Sequence, residues 1–194
     1  MRGVIKLKNI KISAIVGSLQ KDSYNRQLAI EVKNIIGDRA DFNLLDYYDI
    51  PLMNQDIEFP APDAVKRVRE EIKSSDGVWF FTPEYNHFFP GVLKNLIDWL
   101  SRPISDKEPQ VLAEKPAAIS GITPGMSGTG LSQDHLVTLI SFLNMNVMNV
   151  PRVTIPNAIQ QLDSDGKLVF KENYLFLELQ VNAFLDFIDK QILK

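Results

Sequence analysis

Short apolar runs alternate with helical patterns along almost the whole chain, and this alternation restricts the fold more than any other feature of the sequence. Strands are predicted at 10–16, 41–46, 77–82, 117–122 and 147–154, and helices at 25–36, 62–75, 90–101, 128–144 and 172–192. Such an alternation predicts an α/β fold in which a mostly parallel sheet is covered by helices on both faces. We expect the strand at 41–46 to lie towards an edge, because it carries Asp41 and Asn43.

The central strands and the last helix carry the predicted core. Residues 77–81 read GVWFF and residues 115–121 read KPAAISG, which is typical of parallel strands buried on both faces. The aromatic side chains of the first run are therefore predicted to be core residues: Trp79, Phe80 and Phe81. The last helix is predicted to bury a stripe formed by Leu175, Leu179, Phe184 and Ile188.

Length and composition exclude several classes of protein. A chain of 194 residues, 45% hydrophobic and 23% charged, is expected to form a single domain over 1–194. The net charge of -3 provides no general attraction for nucleic acid or anionic lipid, and no apolar run approaches the roughly 20 residues that cross a bilayer. Because the chain has no cysteine and only two histidines, any redox chemistry requires a bound cofactor. The lack of cysteine and of a secretory signal fits a cytoplasmic location.

Three loops are predicted to form one ligand site. In parallel α/β sheets, ligands bind beyond the carboxyl ends of the strands. The loops that follow the first, third and fourth predicted strands occupy 17–25, 82–90 and 121–130. We therefore expect these three segments to meet at one edge of the sheet.

The first of these loops, GSLQKDSYN, is suited to an anion. Gly17 permits a tight turn, Ser18 and Ser23 supply hydroxyls, and the amino end of the following helix favours a phosphate. The loop lacks both G-x-G-x-x-G and G-x-x-x-x-G-K-[ST], which counts against a dinucleotide fold and a nucleoside triphosphatase. The spacing alone leaves open the alternative that Asp22 or Ser23 simply caps the helix.

The second loop begins with TPEYN. Pro83 fixes the chain direction where the strand leaves the sheet, so that the following amides can face a planar polar ligand. Asn86 supplies a donor and an acceptor, and Tyr85 supplies a ring face and a hydroxyl. Glu84 is equally consistent with a solvent-exposed loop carboxylate.

At these two loops the chain resembles the NADPH-dependent FMN reductase family, a flavodoxin-like group that includes chromate, quinone and azo-dye reductases. Members carry G-S-L-R-x-x-S-x-N after the first strand, where this chain has GSLQKDSYN. They also carry T-P-E-Y-N-x-x-x-P-G-x-L-K-N-x-I-D-W-x-S-R-P, and every fixed position is present from Thr82 to Pro103. The resemblance covers nearly the whole chain. It implies a flavodoxin-like three-layer sandwich with a five-stranded parallel sheet of order 2-1-3-4-5.

The resemblance also implies an FMN site. By analogy, the first loop holds the phosphate, residues 83–86 lie against the isoalloxazine ring and the ribityl chain, and the loop after the fourth strand closes the other side. The predicted cofactor-binding residues are Gly17, Ser18, Gln20, Ser23, Asn25, Thr82, Pro83, Glu84, Tyr85, Asn86, Ser120 and Gly121.

The chain departs from the family pattern at Gln20, where relatives usually have arginine. Glutamine donates a hydrogen bond but lacks the fixed charge and the two-pronged geometry that suit phosphate. We therefore predict weaker FMN binding than in arginine-bearing relatives, with Lys21 and Arg26 as candidates to replace the charge.

The predicted function is that of an NAD(P)H-dependent oxidoreductase. Hydride passes from NADPH or NADH through FMN to a flavin, a quinone, an azo compound or a similar acceptor, and no side-chain acid, base or nucleophile is assigned. His87 either contacts the nicotinamide or the acceptor, or lies at the surface or an interface, whereas His135 is predicted to be structural. The alternative is a non-enzymatic flavodoxin-type electron carrier, but such carriers are usually more acidic than a net charge of -3.

A homodimer or homotetramer is also predicted. The helix after the second motif and the residues before it carry more bulky apolar side chains than one core-facing stripe needs: Phe88, Phe89, Leu93, Trp99 and Leu100. By family analogy this region lies at a subunit interface beside the flavin.

Overall fold

The computed structural model describes residues 9–192, and the two ends of the chain lie outside it. The strands are β1 Ile10–Val16, β2 Ala40–Leu44, β3 Gly77–Phe81, β4 Pro116–Ile122, β5 Asn146–Val147 and β6 Val153–Ile155. The helices are α1 Tyr24–Ile36, α2 Asp63–Ser74, α3 Gly91–Leu100, α4 Gly130–Phe142 and α5 Tyr174–Ile192. In this described part, no helix is both long enough and apolar enough to cross a membrane.

The strands form one parallel sheet in the order β2-β1-β3-β4-β5, and β6 also pairs with β4. In the middle of the sheet, Trp79 of β3 lies between Ala14 of β1 and Ala118 of β4. The predicted α/β class and the strand order implied by the resemblance are confirmed, and β2 occupies an edge as expected.

Side chains of β3 alternate between two apolar layers. Trp79 and Phe81 pack with the helices on one face, α1 and α5, whereas Val78 and Phe80 pack with α2, α3 and α4 on the other. All five residues of β3 are buried, as its continuous apolar sequence predicts for a central parallel strand. The carboxyl end of β3 is therefore firmly held where the second loop begins.

The prediction of one strand over 147–154 is wrong. The chain pairs with β4 twice, first through β5 at the start of β4 and then through β6 opposite Ser120–Ile122. Pro151 lies between the two strands, and proline has no N–H to donate to a ladder. The ladder therefore stops and restarts, which brings β6 alongside the carboxyl end of β4.

The predicted buried stripe of the last helix is only half correct. Phe184 and Ile188 are buried, but Leu175 is 60% exposed and Leu179 is 51% exposed. The side chains that α5 buries are Leu177, Gln180, Val181, Phe184, Leu185 and Ile188. Because apolar residues occur on more than one face of this helix, periodicity alone does not identify the face that packs.

The spare apolar surface predicted around α3 is not present on most of the residues named. Phe89, Leu93, Trp99 and Leu100 are buried, and Phe88 alone of that set is exposed, at 43%. The loop before α2 covers α3 on a further side, where Trp99 donates its indole N–H to the carbonyl of Pro51 at 2.9 Å. The chain itself therefore covers the bulky apolar side chains of this helix.

Candidate cofactor site

The three predicted loops meet beyond the carboxyl ends of β1, β3 and β4. They enclose a cavity of about 190 Å³ whose walls come from each loop in turn. The lining residues are Ser18, Gln20, Ser23, Tyr24, Asn25, Pro83, Glu84, Tyr85, Ile122, Thr123 and Pro124. Most of the predicted contacts in the first two loops are thus brought together, whereas Gly17, Thr82, Asn86, Ser120 and Gly121 are not part of this wall.

The first loop is anchored at both ends. The N–H of Gly17 donates to the carbonyl of Phe81 at 2.8 Å, which fastens the loop to the end of β3. At the other end, the hydroxyl of Ser23 accepts the N–H of Arg26 at 3.2 Å and caps α1. Ser23 therefore caps the helix, as one of the two alternatives had it, and it also lines the cavity, so a contact with a phosphate stays a prediction.

Between these anchors the loop offers unpaired backbone donors. The N–H groups of Leu19, Lys21 and Asp22 have no acceptor among residues 9–192, whereas that of Gln20 donates to the Ser18 hydroxyl at 3.3 Å. The first amides of α1 add donors of the same kind, because helix geometry leaves them without a partner in their own helix. A loop of free amides leading into a helix is a cradle for an anion.

Asn25 fastens two walls of the cavity together. Its side-chain N–H donates to the carbonyl of Ile122 at 2.9 Å, and its oxygen accepts the N–H of Ile122 at 3.1 Å. Asn25 is 2% exposed and Ile122 is 1% exposed, so this reciprocal pair is shielded from water. The amide predicted to hold a phosphate is thus already committed to tying the start of α1 to the end of β4.

The second loop forms a two-residue hairpin turn. Tyr85 and Phe88 exchange both of their backbone hydrogen bonds, at 2.9 and 3.1 Å. The two residues between them, Asn86 and His87, have φ of 53° and 63°. Such a pair of left-handed residues is typical of a type I′ turn, and asparagine adopts this conformation more readily than most residues. Asn86 lies at the tip of this turn and not on the cavity wall.

The turn leaves several amides of the second loop without partners in the described chain. The N–H of Tyr85 is used by the hairpin, but those of Glu84 and Asn86 find no acceptor within the described chain. Glu84 lines the cavity, so its N–H is a candidate donor to a ligand there. The prediction that amides after Pro83 face a polar ligand remains consistent with this arrangement.

The carboxylate of Glu84 is not solvent-exposed. Its side chain is 6% exposed, and one oxygen accepts the N–H of Ser132 in the first turn of α4 at 3.2 Å. The other oxygen lies 3.4 Å from Nδ1 of His87, whose own side chain is 79% exposed. The positive end of the α4 dipole stabilises a carboxylate in this position. The alternative of a freely solvated Glu84 is therefore wrong.

Two predicted contacts lie behind the wall. The hydroxyl of Thr82 donates to the carbonyl of Pro83 at 2.8 Å. The hydroxyl of Ser120 accepts the indole N–H of Trp79 at 2.9 Å and donates to Gln180 at 2.7 Å. Both residues are fully buried. Their side chains are used inside the protein, so neither contributes a free group to the cavity.

Gly121 also serves packing. A Cβ at this position would lie 2.1 Å from the hydroxyl oxygen of Thr129 and 2.5 Å from the carbonyl oxygen of Thr82. Only glycine allows β4 to approach these groups so closely. The sequence predicted a cofactor contact here, but the structure explains the glycine by the contact between β4 and the residue before α4.

The two candidate cations lie on the other side of the first loop. Lys21 and Arg26 line a different cavity, of about 500 Å³, and neither lines the wall between the three loops. The missing charge at Gln20 is therefore not replaced on that wall.

Sequence reasoning did not name individually the residues that complete the site after β4 and in α4. Ser132 holds the Glu84 carboxylate from 48 positions away, and Thr123 and Pro124 form part of the wall. The predicted third loop, 121–130, includes Thr123 and Pro124, but no local pattern marks Ser132, because its role depends on how α4 packs against the second loop.

Known proteins resemble this chain over most of its length. The profile of the family described as NADPH-dependent FMN reductase matches residues 10–160. The chain is 38% identical over 176 residues to an NAD(P)H-dependent FMN reductase of Pseudomonas aeruginosa, covering 90% of this chain and 93% of that protein. It is 34% identical over 175 residues to a 2-hydroxy-1,4-benzoquinone reductase of a Burkholderia species, covering 90% and 94%.

Solved structures show the same likeness. The flavoenzyme FerB of Paracoccus denitrificans, an NAD(P)H:acceptor oxidoreductase, superimposes with a TM-score of 0.84 at 35% identity, covering 94% of this chain and 98% of that one. A flavodoxin from the domain Archaea, 12% identical, superimposes with a TM-score of 0.59 and shares the fold.

Proposed function

Because this chain belongs to the NADPH-dependent FMN reductase family, we propose that it carries electrons from NAD(P)H through bound FMN to a small-molecule acceptor such as a flavin, a quinone or an azo compound. The observation that carries this proposal is the convergence of three loops on one cavity, with unpaired amides on the first two. The named relatives that reduce FMN and benzoquinones support an acceptor of this kind.

The residues present fit FMN at both of its polar ends. The phosphate would lie on the first loop, held by the free amides and by the side chains of Ser18, Gln20 and Ser23. The ring would lie against residues 83–85, opposite Thr123 and Pro124. When bound, FMN supplies the redox chemistry, since it accepts a hydride and returns the electrons to a second substrate.

The protein contributes position and electrostatics. The rigid turn that follows Pro83 would hold the ring edge at a fixed place, and the N–H of Glu84 would stabilise negative charge that develops there. Gly17, Thr82, Ser120 and Gly121 would support the site from behind, through contacts that hold the strand ends and the loops together, whereas Asn86 would form the tip of the turn. Asn25 acts in the same way through its pair with Ile122.

A titration of the flavin spectrum tests the proposal. The purified protein loaded with FMN and kept anaerobic is expected to lose its long-wavelength flavin absorption when NADPH or NADH is added. Dithionite provides the control, because it reduces bound FMN whether or not the protein accepts a pyridine nucleotide. Bleaching by dithionite but by neither nucleotide would indicate the alternative, a flavodoxin-type electron carrier. Failure to bind FMN at all would overturn both readings.

Replacing Gln20 by arginine is expected to lower the FMN dissociation constant about tenfold. A charge-assisted hydrogen bond contributes roughly 1.5–3 kcal/mol against about 1 kcal/mol for a neutral one, and about 1.4 kcal/mol corresponds to a factor of ten. Quenching of flavin fluorescence measures the constant. Gln55→Arg adds the same charge outside the cavity and is expected to change it less than twofold. An unchanged constant for Gln20→Arg would show that the phosphate does not lie beside this residue.

We also propose that the protein is a homodimer or homotetramer that works in the cytoplasm. The rings of Phe88 and His135 stack beside the second loop with their centroids 4.4 Å apart. Both residues are exposed, and this exposed aromatic surface supports self-association. The absence of cysteine from the chain fits the cytoplasm.

A further inference from the structure

A second cavity lies on the β2 side of the first loop, between the carboxyl ends of β1 and β2. Its volume is about 500 Å³. The residues on which its chemistry depends are Ser18, Lys21, Arg26, Asp46, Tyr47 and Tyr48. Like the flavin cavity, it lies outside the carboxyl ends of the strands, the edge at which open α/β sheets bind their ligands.

Two cations of this cavity have no anionic partner in the part of the chain that the structure describes. Neither Lys21 nor Arg26 forms an ion pair with a carboxylate of the described residues. Asp46 is the one acidic side chain on the same walls, so two positive charges face one negative charge. In a chain whose net charge is -3, this local excess of positive charge is suited to a phosphorylated ligand.

An apolar cavity of about 420 Å³ adjoins the charged one. The two share Leu19, Tyr47 and Tyr48, and the apolar cavity continues along Leu52 and Val92. Tyr48 is 73% exposed and Leu52 is 81% exposed, so an apolar surface and a ring face are open to a ligand. Aromatic faces of this kind stack with planar bases.

Tyr47 closes the floor between the two cavities without adding charge. Its hydroxyl donates to the carbonyl of Val16, and burial raises the pKa of this phenol well above its ordinary value. The group therefore stays neutral, and it leaves Lys21 and Arg26 as the groups that attract an anion.

The three cavities follow one another around the first loop. Ser18 lines both the flavin cavity and the charged cavity, and the shared tyrosines join the charged cavity to the apolar one. FMN would fill the flavin cavity with its phosphate at Ser18, so a nicotinamide would have to reach the flavin ring from outside that cavity. The charged cavity and the apolar cavity therefore offer walls for the phosphorylated middle and the adenine of a pyridine dinucleotide, in that order.

We infer that the two cavities on the β2 side of the first loop bind the adenine-nucleotide half of NAD(P)H, with its phosphate on Lys21 and Arg26. This inference rests on the proposed function, because it places the reductant of that same reaction. The shared chemistry is an adenosine phosphate. The phosphate that the two cations bind is either the pyrophosphate, which NADH and NADPH share, or the 2′-phosphate, which only NADPH carries.

Calorimetric titration of the FMN-loaded protein with nucleotide fragments tests the inference and separates the two sources. ADP carries the pyrophosphate without a 2′-phosphate, and 2′-AMP carries the reverse. The double variant Lys21→Gln/Arg26→Gln is expected to weaken binding of at least one fragment about tenfold or more. Lys33→Gln removes the same charge from the exposed side of α1 and is expected to change both affinities less than twofold. A loss for ADP assigns the cations to the pyrophosphate, and a loss confined to 2′-AMP assigns them to the 2′-phosphate and to NADPH.

The KM values for NADPH and NADH provide a second readout in the FMN-loaded enzyme, and the KM of the affected nucleotide should rise by a similar factor in the double variant. The FMN dissociation constant should stay within about twofold of the wild type, because neither cation lines the flavin cavity. Fragments that bind the wild type and the double variant equally, or that do not bind the wild type, would overturn the inference. An equal loss of FMN affinity would also overturn it, by assigning the cations to the flavin phosphate. Failure of the proposed function itself is distinguishable, because the wild-type protein would then fail to bind FMN or its bound FMN would not be bleached by NADPH or NADH.

Discussion

Replacing Gly121 by alanine is expected to lower the free energy of unfolding by about 3 kcal/mol, at the upper end of what an overpacked core position costs. The new Cβ would lie 2.1 Å from the hydroxyl oxygen of Thr129 and 2.5 Å from the carbonyl oxygen of Thr82. Both threonines are fully buried, and the second contact is with backbone, so rotation of one side chain does not relieve the clash. Chemical denaturation followed by circular dichroism measures the change.

Gly130→Ala is the matched control for this substitution. Gly130 is the first residue of α4, and a Cβ there meets no heavy atom within 4 Å. Alanine is the better helix former, so the control is expected to leave stability unchanged or to raise it by at most about 1 kcal/mol. Equal stabilities for the two variants would show that β4 and the residue before α4 are not packed as described.

Replacing Asn25 by alanine is expected to cost about 2–4 kcal/mol of stability and to weaken FMN binding. The change leaves the N–H and the carbonyl of Ile122 without their side-chain partners at a position that is 1% exposed. Each buried polar group left unsatisfied costs about 1–3 kcal/mol. The FMN dissociation constant should rise as well, because the same pair holds the first loop against the end of β4. Denaturation and fluorescence quenching measure the two effects.

Asn34→Ala removes the same side chain from the exposed side of the same helix. Its amide donates to Glu31 at 3.4 Å, a contact open to water, and the substitution is expected to change stability by less than about 0.5 kcal/mol. An Asn25→Ala variant as stable as this control would contradict the role of the Asn25–Ile122 pair. Loss of stability with unchanged FMN affinity would confine that role to folding.

The central strands show how far local sequence reaches. β3 is a run of five apolar residues that pack into layers on both faces, and no partner has to be known to place such a run in a buried parallel strand. The last helix shows the opposite case. Leu175 and Leu179 have the spacing of a buried stripe and are nevertheless exposed, because the neighbouring row through Leu177 and Val181 is equally apolar.

The same division holds within the site. The position of the two loops followed from strand ends and from a long motif, both of which are local. The burial of Glu84 did not, because it depends on an amide 48 positions away. The Asn25 side chain is occupied by hydrogen bonds to Ile122, a residue 97 positions away. Lys21 and Arg26 follow Gln20 closely along the chain, yet they line a different cavity, since a loop that bends over the end of a strand has two sides.

The sequence by itself determined the strand–helix alternation, the buried centre of the sheet and the three loops at its edge. These depend on burial patterns and turn residues that act over a few positions. Only the tertiary structure decided which polar groups of those loops are free for a ligand. Each such group can be satisfied by a partner anywhere in the chain, and only packing brings that partner within hydrogen-bonding distance.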